Sequence, residues 1–124
     1  MPLSDTQLAH FRELLLLERT ERRLEADVLT AGLVAVRSAK GDGTADDEHD
    51  PDGPTLSAEW SRMAGLESEL VAKAAATERA ITRLDDGTFG ICVRRGEPIG
   101  AARLEARPAA ELCIACAREL ERGR

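Results

Sequence analysis

Apolar residues in the first third of the chain recur at helical spacing. Leu14, Leu17, Leu24, Val28, Ala31 and Ala35 fall three, four or seven positions apart, with Glu21 breaking the series. Leu8, Phe11 and Leu15 widen that stripe near its start. Ser4-Asp-Thr-Gln7 has the form of a capping box, Ser4 capping and Gln7 reaching back, and no proline follows before Pro51. The pattern predicts a helix over about residues 4–39, about 50 Å long at 1.5 Å per residue. Residues 40–54 are crowded with glycine, proline and aspartate and predict a loop. A second helix is expected from about 55, where Pro54 suits a first helical turn, to about 86. Its seam reads Leu56, Trp60, Met63, Glu67, Leu70, Ala74, Thr77, Ile81, Leu84, a coiled-coil heptad over four repeats. Gly87 stands where a C-cap is needed.

Neither helix can bury its stripe alone. The simplest pairing is an antiparallel hairpin over residues 1–86; the alternative is a larger bundle completed by dimerisation. Residues 87–124 differ in character. Gly87, Gly90, Gly96 and Gly100 punctuate short segments, all the cysteines lie here, and Cys113–Arg124 reads as a short helix. The expected fold is therefore mainly α: a long coiled-coil hairpin, a small ribbon-like globule and a C-terminal helix.

Composition narrows this further. A chain of 124 residues is one domain's worth. Phe11, Trp60 and Phe89 are its only aromatics, so a large globular core or a β-sandwich is disfavoured. The longest apolar run, Leu14–Leu17, is far too short to span a membrane. The N-terminus lacks the basic and apolar regions of a signal peptide, so a cytoplasmic location is expected. The net charge is −6, and residues 42–52 hold Asp42, Asp46, Asp47, Glu48, Asp50 and Asp52 with no base. This segment equals the whole net charge. An acidic chain without a clustered basic face is a poor ligand for phosphate backbones, so direct DNA binding is not expected.

The chemistry-bearing residues are Cys92, Cys113 and Cys116. Two Cys-x-x-Cys knuckles about 20 residues apart would be a strong zinc signal, because two tight turns bring four thiolates to the corners of a tetrahedron. The second knuckle, Cys113-Ile-Ala-Cys116, is complete. The first reads Cys92-Val-Arg-Arg95. Arg95 has no lone pair to offer a metal. Three outcomes stay open at this level. Zinc is held by three thiolates with water or a borrowed side chain such as His10; or the finger folds without metal, with Arg95 paired to Glu97 or Glu105; or Cys113 and Cys116 form a redox pair. No catalytic triad, P-loop or glycine-rich phosphate loop is present, so nothing points to an enzyme.

Asp85-Asp-Gly-Thr-Phe-Gly-Ile-Cys92, Gly96-Glu-Pro-Ile-Gly100, Arg103-Leu-Glu-Ala-Arg-Pro108 and Leu112-Cys-Ile-Ala-Cys116 together resemble the finger segment of the DksA/TraR family. The Asp46–Gly53 loop is similar to the tip of its short members. The resemblance implies a coiled-coil regulator that inserts its hairpin into the secondary channel of bacterial RNA polymerase. Acidic tip residues would then act near the catalytic magnesium. The family's Asp-x-x-Asp-x-Ala tip pattern maps onto Asp47 and Asp50, with Asp52 standing where alanine is usual; gapless counting from Cys92 places Asp52 on the second acid instead. Of the family's contacts to the alarmone ppGpp, Arg107 matches one. Ala76 and Ala117 fall on two others, which argues against alarmone synergy. The alternative to a polymerase regulator is a coiled-coil adaptor whose degenerate, metal-free finger is a remnant.

Overall fold

The computed structural model describes residues 2–41 and 55–123. Four helices follow in order: α1 Asp5–Gly41, α2 Leu56–Asp86, α3 Ala101–Ala106 and α4 Ile114–Arg122. Caps account for the start of α1 and for both ends of α2. Ser4 and Gln7 close the expected box at α1, with the Gln7 N–H donating to Ser4 Oγ at 3.1 Å and the Ser4 N–H to Gln7 Oε1 at 2.8 Å. At α2 the cap is Thr55, whose hydroxyl accepts the Ala58 N–H at 3.0 Å. The helix ends in a left-handed glycine, Gly87 at φ +82°. Behind it the Thr88 N–H reaches back to the Arg83 carbonyl at 3.0 Å, the bond of a Schellman cap. No helix among the described residues is long and apolar enough to cross a membrane.

The chain packs as two compact units, Met1–Glu21 with Ala74–Arg124, and Arg22–Lys73. In the first, α1 and α2 run antiparallel: Arg12 pairs with Asp85 at 2.8 Å and Arg19 with Glu78 at 2.7 Å. Their inner faces share one core with the finger, built from Phe11, Leu15, Ala80, Ile81, Phe89, Ile99, Leu104 and the three cysteines. The Phe11 and Phe89 rings meet at 5.8 Å between centroids. Buried Thr77 donates to Glu18 at 3.1 Å, so this packed face also carries a polar rung. In the second unit the helices are again antiparallel. Gly32 leaves so little room that an added Cβ would lie 2.4 Å from Met63 Cε, and Arg37 stacks over the Trp60 ring at 5.2 Å.

The α2 seam lies where the heptad put it: Thr77 and Ile81 are buried and Leu56, Trp60, Met63, Leu70, Ala74 and Leu84 half-buried, whereas Glu67 is exposed. The α1 stripe requires correction. Leu17 is 58% exposed, Leu24 61% and Val28 74%, and Ala31 and Ala35 also face outward. The buried residues are Phe11, Leu15 and Leu33. Two heptads of equal period interleave on this helix. In the first unit the inward one is selected by Phe11 and Leu15, which fill the shared core; in the second it is selected by the close approach at Gly32.

Candidate metal centre

Beyond α2 the chain makes a short two-sided turn. Ile91 and Pro98 form an isolated antiparallel bridge, the Cys92 N–H donates to the Glu97 carbonyl at 2.7 Å, and the Ile99 N–H to the Gly90 carbonyl at 2.8 Å. Gly90 takes φ +89°, and a Cβ there would stand 3.0 Å from Leu3 Cδ1. Backbone bonds then tie the two knuckles together: the Val93 N–H donates to the Glu111 carbonyl at 2.9 Å. Arg103, on α3, donates from Nε to the Leu112 carbonyl at 2.9 Å and so braces the approach to Cys113. Glu111 receives Arg79 at 2.5 Å and Arg83 at 3.5 Å, fastening the second knuckle to α2. Helix α3 went unread in the sequence, although Ala-Ala-Arg-Leu-Glu-Ala between Gly100 and Pro108 is a run of strong helix formers.

These braces gather Cys92, Cys113 and Cys116, all reduced and buried, with their sulfurs within 4.8 Å of one another. The Cys92 and Cys116 sulfurs are 3.7 Å apart. A tetrahedron with zinc–sulfur bonds of about 2.3 Å has an edge of about 3.8 Å, so this pair already stands at coordination distance. Burial opposes ionisation of Cys92, but the backbone N–H groups of Cys113, Arg95 and Arg94 and the Cys116 thiol aim at its sulfur and bring its pKa down to about 6. Cys116 goes the other way. Burial, followed by the neighbouring Cys113 and Cys92 sulfurs, pushes it up to about 11. Three corners of a zinc site therefore fit the ion, with Cys92, Cys113 and Cys116 as its holders. Zinc bound there would cross-link the two knuckles.

No protein side chain among the described residues supplies the fourth corner; the cluster of His, Cys, Asp and Glu donors holds only the three thiols. His10 is not the borrowed ligand that the sequence allowed: neither of its ring nitrogens is among the donors gathered at the cluster, and its Nε2 is engaged with Glu105 at 2.7 Å. Arg95 pairs with neither of the carboxylates first considered. Its Nη2 donates to Glu119 Oε1 at 2.6 Å, and Arg94 approaches the other oxygen at 3.3 Å. The Glu119 carboxylate, and after it the Cys116 and Cys113 sulfurs and Glu97, holds the Arg95 pKa above its ordinary value. Glu119 was missed in the sequence. The available signal was its register: it follows Cys116 by three positions, as Arg95 follows Cys92. Arg107 is exposed at the end of α3, with no ion pair among the described residues. Asp47, Asp50 and Asp52 lie outside the described residues.

A mainly α chain with antiparallel paired helices and a two-knuckle cysteine finger defines the class of coiled-coil finger proteins. The profile of the prokaryotic dksA/traR C4-type zinc finger matches residues 87–122. The chain is 33% identical over 117 residues to the RNA polymerase-binding transcription factor DksA of Escherichia coli (strain K12), covering 92% of this chain and 71% of that protein. To DksA of Caulobacter vibrioides it is 31% identical over 97% of its own length and 80% of the relative's. The solved structure of transcription factor DksA2 from Pseudomonas aeruginosa superposes with a TM-score of 0.73 at 27% identity, covering 96% of this chain and 86% of that one. The chain belongs to the DksA/TraR family, and it departs from the four-cysteine pattern of that finger at Arg95.

Proposed function

We propose that this protein is a transcription regulator that binds bacterial RNA polymerase, without enzymatic activity of its own. The observation that carries the reading is likeness along nearly the whole chain, rather than in the finger alone, to proteins named as RNA polymerase-binding transcription factors. Under this reading the helical hairpin enters the secondary channel and presents Asp47 and Asp50, with Asp52 beside them, near the active site. Carboxylates suit that task, since magnesium and basic polymerase elements both attract them. The protein would work in the cytoplasm beside the polymerase. Arg107 is the residue best matched to a further contact there, and ppGpp is not assigned a role.

Two measurements test the reading. Core polymerase should capture the purified protein, and an established secondary-channel factor should compete it away; capture that this competitor leaves untouched would remove the channel from the proposal. Replacing Asp47 and Asp50 together by Asn should abolish the effect on transcription in vitro while leaving capture intact. Unchanged transcription by the double variant would sink the role of the tip.

A further inference from the structure

The departure at Arg95 is confined to the side chain. The backbone around it still has the form of a metal knuckle: the Arg94 and Arg95 N–H groups aim at the Cys92 sulfur. The turn closes with the Gly96 N–H on the Cys92 carbonyl at 2.8 Å, and Gly96 takes φ +71°, a conformation that suits glycine. The second knuckle leads directly into α4, whose N-cap is Cys113. The Arg95 side chain does not fill the missing corner. It reaches Glu119 at 2.6 Å instead, and the two side chains are 41% and 39% exposed. The three sulfurs behind them are buried. The fourth corner, which residue 95 would supply, therefore lies on the solvent side of an otherwise enclosed thiol cluster, beside a group in which Arg94 and Arg95 share the one Glu119 carboxylate.

We infer that the finger is a three-thiolate zinc centre whose fourth ligand is exchangeable, a water that a small thiol can replace. Three thiolates around a divalent ion leave a net charge of −1, against −2 for four, and the Arg94 and Arg95 guanidiniums, which share the single Glu119 carboxylate, leave an excess positive charge that further favours an anion at the open position. When a monothiol binds, its sulfur takes the position of the water, its proton passes to the buffer, and no electrons change hands. Arg95 is a positioning residue here, held by Glu119 and touching no metal.

The test uses the full chain, reduced and stripped of metal, with cobalt as an optical stand-in for zinc. Wild-type protein should bind one cobalt per chain and show the charge-transfer intensity of three thiolates. Adding 2-mercaptoethanol should raise that intensity by about one third, the ratio of four thiolates to three. Arg95→Cys should show the higher intensity unaided and should not respond to the thiol. It should also retain zinc against a chelator that strips the wild type. Wild-type protein that binds no cobalt, that ignores the thiol, or that already matches Arg95→Cys would overturn the inference. If Arg95→Cys fails to fold by circular dichroism, the thiol response of the wild type decides alone. Arg95→Ala should keep the three-thiolate spectrum and take the anionic thiol more weakly; equal affinity would remove Arg95 from the proposal.

Discussion

Leu15 and Leu17 lie two positions apart on α1, one on each of its two interleaved heptads, and truncating each to alanine asks which heptad is structural. Leu15 is fully enclosed, in a core with Phe11, Ala80, Ile81, Phe89 and Leu104, whereas Leu17 is 58% exposed. Truncating an enclosed leucine removes its transfer free energy and leaves a cavity that rigid neighbours cannot close, costing about 2–5 kcal/mol. Surface truncations usually fall within about 0.5 kcal/mol. Alanine's better helix propensity acts alike at both sites and does not change the contrast. With a urea dependence of about 2 kcal/mol per molar, a loss of about 3 kcal/mol lowers the unfolding midpoint by about 1.5 M. Leu15→Ala should show a shift of that order, followed by circular dichroism. Leu17→Ala should move the midpoint by no more than about 0.25 M. Equal shifts, or a larger one for Leu17→Ala, would refute the packing assigned to α1.

Gly90→Ala forces an L side chain to φ +89° against Leu3, and should cost about 1–3 kcal/mol in a thermal melt. Gly87→Ala, at φ +82° with nothing within 4 Å of the added Cβ, isolates the backbone part of that cost; a Gly90 variant as stable as wild type would exclude the turn described. In metal-free, reduced protein, thiolate absorbance should rise first near pH 6 as Cys92 ionises and last near pH 11 as Cys116 does. Because the folded pKa of Cys92 lies below its ordinary 9.0, its contribution to stability is full above that value and fades as pH falls through about 6. Cys116 is shifted upward, so its contribution is full below 9.0 and fades as pH rises through about 11. Stability of the metal-free finger should therefore peak near pH 9, and a single thiol step at the ordinary value would contradict the geometry around Cys92.

Period, caps and composition made much of this fold readable in advance. A capping box needs only Ser4 and Gln7, a left-handed stop needs only Gly87, and the α2 seam is the single apolar heptad on its helix. The phase of α1 was not readable, because both of its heptads have the same spacing. The one richer in leucine and valine over residues 17–28 is the one left outside. What settles the matter is distant in sequence: Phe89, Ile81 and Leu104 close over Phe11 and Leu15. The Thr77–Glu18 bond supplies a polar rung that a count of apolar positions passes over. The three thiols were legible as a cluster from spacing alone. Their closure was not, since the partner of Arg95 lies on α4 and was chosen by folding from among several nearby carboxylates.

The shared core also explains how a finger can lose a ligand and keep its form. A small zinc finger folds only with its metal because it buries too little by itself, so zinc binding and folding are one free energy. Here Phe89, Ile99 and Leu104 of the finger lie in one apolar cluster with Phe11, Leu15 and Ile81 of the long helices. Glu111 and Arg103 add polar ties on the same side. Apolar burial at about 25 cal/mol per Å² therefore supplies order that a free-standing finger would draw from its ion. The Arg95–Glu119 pair does not replace the lost zinc–sulfur bond in energy, since exposed ion pairs contribute at most about 1 kcal/mol. What it does is keep the Arg95 guanidinium out of the fourth corner while its charge still acts on the Cys116 and Cys113 sulfurs. The core carries the shape of the finger, and the metal position is thereby released from a purely structural duty.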